Sequence, residues 1–279
     1  MKKIKHSIFI FFLFISTSIF GQNPDVGNLI NEGIKFHDQG EYKKAIEIYQ
    51  KALNNDPNSS LVNYEIAFSY FSNKDYKNAE VYSKRVLDLK QDQMLPAYIT
   101  YGNALDMQGQ SGKAIKVYEK AMAEFDNYLL YYNHAITCFN AGKNDKAYDS
   151  ALKGIANNSS HASSHLILSK IMEKEGSRIK AMLPLYFFLL IEPNSARGAI
   201  EYQTLRNYLD HGVSQASEKN IQVLVPMDND PEFGAAEMMI SLSKASFSYY
   251  ISQSKGEEVT KWIEENPVPF ERFINWVNN

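Results

Sequence analysis

Residues 26–59 read VGNLINEGIKFHDQGEYKKAIEIYQKALNNDPNS. Leu29, Gly33 and Phe36 share one helix face, Asp38-Gln39-Gly40 breaks that helix, and Ala45, Tyr49 and Ala52 mark a second one ending before Pro57. The ending has a cause: proline has no N–H to donate to the preceding turn, and Ser59 or Ser60 is suited to cap the helix that follows. Ala45 then returns as Ala79, Ala114, Ala147 and Ala181, at intervals of 34, 35, 33 and 34 residues. A fixed period near 34 is the pattern of stacked helix–turn–helix units. Such a stack builds its core from neighbouring units and offers a long concave wall, so its expected work is holding other chains.

The later repeats keep the small slots and vary the large ones. The second has Ala67, Tyr70, Ala79 and Val86 around an Asn73-Lys74-Asp75 turn; the third has Gly102, Ala114, Tyr118 and Ala121 around Gln108-Gly109-Gln110. In the fourth, Ala135 and Ala147 remain, while Cys138, Ala151 and Gly154 are smaller than the pattern expects. The fifth keeps Ala181, places Ser169 and the bulky Phe188 in small slots, and closes on Glu192-Pro193-Asn194-Ser195, an echo of Asp56-Pro57-Asn58-Ser59. Gly33 and Ala45 are small where two antiparallel helices cross, with Phe36 and Tyr49 filling the space beside them.

These residues resemble the tetratricopeptide repeat, whose pattern runs W-x2-L-G-x2-Y, then A-x3-F, then A, then P. The resemblance spans about residues 26–193 and implies an all-α solenoid of about five repeats within 22–195 (about 26–59, 60–94, 95–127, 128–160 and 161–195). Beyond it the register is lost. Ala199, Tyr202, Leu205 and Leu209 predict a capping helix within 196–212, and residues 213–279 are expected to form a mainly helical module. Inside that module Ile221-Gln222-Val223-Leu224-Val225-Pro226 alternates like a strand, has no evident pairing partner, and reads as a packed extended segment. Asp230-Pro231 is the expected opening of a helix carrying Phe233, Met238, Met239, Leu242, Phe247, Tyr250 and Ile251. Val259, Trp262 and Ile263 mark a short helix, and Phe270, Phe273, Ile274 and Val277 a last one.

In tetratricopeptide proteins the first helix of each unit lines the concave wall. Carried over slot by slot, the resemblance places Ile30, Ile34, Tyr64, Phe68, Phe71, Ile99, Asn103, Asp106, Tyr132, Ile136, Phe139, Leu166 and Lys170 on that wall. An apolar surface of this kind marks an interaction site, and the expected partner is a protein or peptide. The chain's own C-terminal helices are an equal candidate for filling the groove, which would leave the protein a structural subunit with its partner on another surface. One branch of the family grips the terminal carboxylate of chaperones with Lys, Asn and Arg side chains. Here those slots hold Ile30, Ile34, Glu65, Pro96 and Thr100; starting from the third repeat, Asn103 and Asn133 match the amides but Ser163 and Ile167 replace the cations. No carboxylate clamp is expected.

The first 21 residues stand apart. Lys2, Lys3 and Lys5 precede an apolar run from Ser7 to Phe20, too short for a comfortable bilayer span and suited to a signal peptide cleaved near Gly21. The chain is therefore expected in a bacterial periplasm or at the cell surface, meeting a membrane only through its partners. The leader contains no cysteine, so no lipid anchor is expected. Cys138 is the single cysteine of the chain, which rules out an internal disulfide and reads as a small buried hydrophobe.

Charge and motifs exclude other classes. The formal net charge is −3, and acidic residues outnumber basic ones mainly after Val213, so no basic stripe awaits nucleic acid. His161 and His165 lie four apart on a helix but lack a third ligand nearby, and a capping or partly buried role is expected of them. Asp228, Asp230 and Glu232 alternate like the start of a calcium loop, yet Met239 takes the closing carboxylate slot. No glycine-rich phosphate loop, nucleophile elbow or paired-carboxylate site is present, so neither an enzyme nor a cofactor is expected.

Overall fold

The computed structural model describes residues 24–211, 213–217, 220–223 and 233–253. The leader, Asp228 to Glu232 and everything after Gln253 lie outside the described residues, and with them the signal peptide, the calcium-like alternation, the Asp230-Pro231 opening and the last two expected helices. The architecture is all-α apart from one hairpin. Helices α1 (Pro24–Asp38) to α4 (Tyr76–Leu89) form two antiparallel pairs, and α5 (Met94–Met107) with α6 (Ser111–Glu124) follows. Then come α7 (Tyr128–Asn140), α8 (Asn144–Asn157), α9 (Ala162–Lys174), α10 (Arg178–Ile191) and α11 (Ala196–Asp210). Strands β1 (Val213–Ser217) and β2 (Asn220–Val223) precede α12 (Gly234–Gln253). The described residues fall into two compact units that divide within α5, between Thr100 and Tyr101.

The turns repeat with the same period as the alanines. Gly40, Gly109, Gly142 and Gly176 carry φ between 72° and 82°, and Lys74, in the same slot of the second repeat, carries φ 63°. The left-handed conformation ends each first helix, and glycine adopts it without the Cβ clash that Lys74 accepts. Helix starts are capped by side chains: Ser59 accepts from the Val62 N–H, Asp75 from Asn78, Asn127 from Leu129 and Ser195 from Gly198.

Within each repeat, the small slot on the first helix is matched to its partner on the second. A Cβ at Gly33 would overlap the Tyr49 ring, and one at Gly102 would overlap Tyr118. Where the first-helix slot carries a side chain the partner changes: Ala67 goes with Ser83, Ala135 with Ala151 and Ser169 with Leu185. The spared side chains repair their own polarity, Ser83 Oγ donating to the Ala79 carbonyl at 2.6 Å and Ser169 Oγ to the Ala181 carbonyl at 2.8 Å. The five recurring alanines are all fully buried. Phe188 is fully buried too, because it joins Leu185, Leu189 and Leu205 beneath α11.

Arg178 ties α10 to the end of α11 and to α12. Buried Arg178, at the start of α10, donates to the carbonyls of Tyr208 (2.6 Å) and His211 (3.1 Å) and reaches Ser241 Oγ on α12 at 3.4 Å. Helix α12 packs chiefly on α10, α11 and the hairpin, with Phe233, Ala236 and Ile240 turned to that core. Met238, Met239 and Leu242, expected in its apolar stripe, face outward instead. The segment at Ile221 also departs from expectation: Asn220–Val223 pairs antiparallel with Val213–Ser217, from Val213 opposite Val223 to Ser217 opposite Asn220. The partner was the adjacent Val-Ser-Gln-Ala-Ser stretch, too polar to announce itself as a strand.

Candidate functional site

In the first unit, α1 and α3 set aromatic rings in a row. Tyr64 and Phe68, one turn apart on α3, stack with centroids 6.1 Å apart and planes within 8°. Phe68 stacks in turn on His37 of α1 at 4.7 Å, and His37 meets the edge of Tyr42 at 5.1 Å. Phe71 leans on Tyr76 at 5.5 Å. Tyr64, Phe68, Phe71 and Ile99 are all half-buried. Ile30 is a correction. At 5 % exposure it joins the core of Val26, Ala45, Tyr49, Val62 and Ile66, because α2 and α3 close over it; Ile34 packs at that cluster's margin.

Beside this row sits a carboxyl that slot counting did not single out. Glu65 is buried, and its Oε2 accepts a long 3.4 Å hydrogen bond from the Tyr49 hydroxyl. Burial, with Asp38 adding repulsion, pushes its pKa up to about 7 against the pull of that hydrogen bond. Burial also lowers the pKa of His37, opposed by Asp38, and the ring's Nδ1 lies 2.8 Å from Ser69 Oγ. His37 belongs to the wall and was missed; its place one slot equivalent to Phe71 was the signal that would have found it.

The second unit uses its wall residues internally. Asn103 Oδ1 accepts from the Tyr118 hydroxyl at 2.6 Å, and Asp106 accepts from Ser111 Oγ at 2.6 Å and Thr137 Oγ1 at 3.1 Å. Asp106 thereby ties α5 to α6 and α7. Tyr132 meets the edge of His161 at 4.9 Å, and Ile136 and Phe139 pack on the core of α7 to α10. The Lys174 ammonium lies 4.8 Å above the Phe139 ring, and Lys170 pairs with Glu201 at 3.0 Å. All five predicted wall residues here are half-buried, and Asn103 Oδ1 and both Asp106 carboxylate oxygens have partners inside the fold.

The remaining candidates have local roles. His161, the residue before α9, directs Nδ1 to Ser164 Oγ at 2.8 Å; His165 lies 2.8 Å from the Ser159 carbonyl and stacks on Phe187. Cys138 has a neighbour that sequence reading passed over, His134, whose Nε2 lies 3.5 Å away. Burial raises the thiol to about 11 and lowers the imidazole, so both stay neutral, and a nucleophile would need the thiolate. His134 Nδ1 is also engaged, at 2.7 Å from Ser150 Oγ. Among the described residues, no helix is long and apolar enough to cross a membrane, and no cluster of three or more His, Cys, Asp or Glu is placed to hold a metal ion.

Comparison with known proteins agrees with this architecture. Residues 33–74 match the TPR repeat family model and residues 62–93 the tetratricopeptide repeat model. A 98-residue stretch is 32 % identical to the human protein O-mannosyl-transferase TMTC2, covering 34 % of this chain and only 12 % of that protein's length. Among solved structures, Pseudomonas aeruginosa PilF aligns over 82 % of this chain and 96 % of its own at 17 % identity, TM-score 0.58. The type IV pilus biogenesis factor PilW aligns over 67 % and 92 % at 17 % identity, TM-score 0.55. YrrB, a tetratricopeptide protein with an unusual peptide-binding site, aligns over 65 % and 93 % at 19 % identity, TM-score 0.50. At these identities the likeness is one of fold.

Proposed function

We propose that this tetratricopeptide-repeat chain is a non-enzymatic adaptor of the bacterial cell envelope, exported by its N-terminal leader, that holds a peptide or helix of a partner on its first-helix faces. The observation that carries the reading is the row Tyr64, Phe68 and His37, half-buried rings stacked one on another across α1 and α3. Aromatic anchors of this kind dominate interface energetics, at roughly 2 kcal/mol or more each. The described C-terminal helix supports an outside occupant, since α12 packs chiefly on α10, α11 and the hairpin. The neutral Cys138–His134 pair supports an adaptor without chemistry of its own.

The test is a triple variant, Tyr64→Ala with Phe68→Ala and Tyr132→Ala, compared with the native chain for partner capture, thermal stability and protease resistance. Loss of capture by a chain that still melts in one cooperative transition and resists protease is the expected result. Lower stability together with new cleavage after Gly212 would instead mean that the chain's own C-terminal segment fills the groove. Mass spectrometry of the mature protein is expected to find its N-terminus at or near Gln22, and a retained Met1 would overturn the exported reading.

A further inference from the structure

The two units differ in what their walls ask of a ligand. In the second, a cation already sits on a wall aromatic: Lys174 over Phe139 at 4.8 Å. Phe139 holds the slot of Phe71 and His37, and Tyr64 and Phe68 lie on the same α3 face seven and three residues before Phe71. In the first unit, among the described residues, Tyr64 and His37 stack on Phe68, and His37 also meets the edge of Tyr42. The wall slots there, Ile34, His37, Asp38, Tyr64, Phe68 and Phe71, contain no lysine or arginine. Two of the unit's cations are engaged elsewhere, Lys44 with Glu41 and Arg85 with the Pro57 carbonyl at 2.9 Å. The carboxyls near these rings are Asp38, exposed at the end of α1 beside His37, and Glu65, next to Tyr64 on α3 and buried with its Oε2 on the Tyr49 hydroxyl.

We infer that the α1–α3 face of the first unit receives a basic side chain, arginine or lysine, of the bound peptide, its stem and charge lying against the Tyr64 and Phe68 rings while Asp38 and Glu65 answer the charge. The inference rests on the proposed function and names the chemistry of that partner. A guanidinium or ammonium is attracted to an aromatic face, most strongly where water is partly excluded. A bound cation also relieves the obstacle to ionising Glu65, which is burial with no cation beside it. An acidic peptide or a terminal carboxylate would meet the opposite: two carboxyls, ring faces of negative potential and no cation to hold it.

The arrangement carries a pH signature. The groups acting on Glu65 are Tyr49 from α2, Asp38 from α1 and its own neighbour Tyr64, and none becomes positively charged. Its pKa of about 7 leaves the carboxyl mostly protonated at pH 5 and mostly ionised at pH 8. His37, lowered by burial, is neutral over the upper part of that range and turns into a competing cation only at acid pH. Affinity for a basic peptide therefore rises from pH 5 to pH 8.

The test uses the immobilised full chain and four synthetic 12-residue peptide libraries, degenerate at every position except a central Arg, Lys, Gln or Glu. The Arg and Lys libraries are expected to be retained at least fivefold over the Glu library at pH 8, with the margin shrinking at pH 5. Asp38→Asn combined with Glu65→Gln is expected to abolish the preference while leaving retention of the Gln library in place. Both are near-isosteric changes, and Val81→Ala, on the exposed side of α4, serves as a control that keeps the preference. Equal retention of all four libraries, lost in Tyr64→Ala with Phe68→Ala, would overturn this inference and leave the groove reading standing. A preference for Glu would overturn it as well. Retention of none of the libraries would overturn the groove reading and this inference together.

Discussion

Glu65→Gln is expected to stabilise the protein, by a margin that grows as pH rises from 5 through 7. In the folded chain the carboxyl ionises at about 7, against an ordinary value of 4.5. A rise of that size means that ionising it costs roughly 3 kcal/mol more in the folded chain than in the unfolded one. The folded state holds the proton more tightly, so its stabilising share is complete below pH 4.5 and is lost as pH climbs through 7. Between pH 5 and pH 8 the native chain should forfeit about 2–3 kcal/mol through this group alone. Glutamine does not titrate, fills the same space and still offers an oxygen to the Tyr49 hydroxyl. Urea unfolding of both proteins at pH 5, 6, 7 and 8, followed by circular dichroism, should show near-equal stabilities at pH 5. The gap should widen toward pH 8 in favour of the variant. A gap independent of pH would show that Glu65 titrates like an exposed carboxylate, and a gap favouring the native chain at pH 8 would mean that a cation already answers it.

Gly102→Ala should force Tyr118 from its seat and cost about 1–3 kcal/mol, the usual size of an overpacking penalty; adding Tyr118→Ser, which copies the Ala67–Ser83 pairing, should recover part of the melting temperature. Lys74→Gly removes a lysine from a φ of 63° and should raise stability by roughly 1 kcal/mol in a thermal melt. Arg178→Met keeps bulk but deprives the Tyr208 and His211 carbonyls of their donor, and should cost about 2–4 kcal/mol with faster proteolysis around the β1–β2 hairpin. If the hairpin is cut no faster, the tie from α10 to the end of α11 is not what holds that region.

The period of the alanines exposed the fold because the constraint is local and repeated: two helices crossing closely leave room for hydrogen or methyl, once per unit. The turn slot was legible for the same reason, Lys74 being the exception that only the backbone reveals. What stayed hidden depends on atoms about one repeat away. Nothing near Asp106 in the sequence announces that Thr137, 31 residues on, uses its second carboxylate oxygen. Slot counting assigned Ile30 to the wall by its angle, whereas the neighbouring helices enclose it. The same counting met Glu65 only as a clamp slot without a cation, whereas its importance comes from burial beside Tyr49 and Asp38 and from no motif. The strand pairing at Ile221 was missed because its partner is polar and adjacent, so alternation marked only one of the two strands.

The central claim is that the aromatic face of α1 and α3 meets another chain. A photoreactive benzoylphenylalanine placed at Phe71, with one at Val81 as the control on the exposed side of α4, tests it in the cells that make the protein. After irradiation, mass spectrometry of the cross-linked peptides is expected to find segments of a different protein joined to position 71 and absent from position 81. Cross-links from position 71 to residues 213–279 of the same chain, or identical products at both positions, would contradict it.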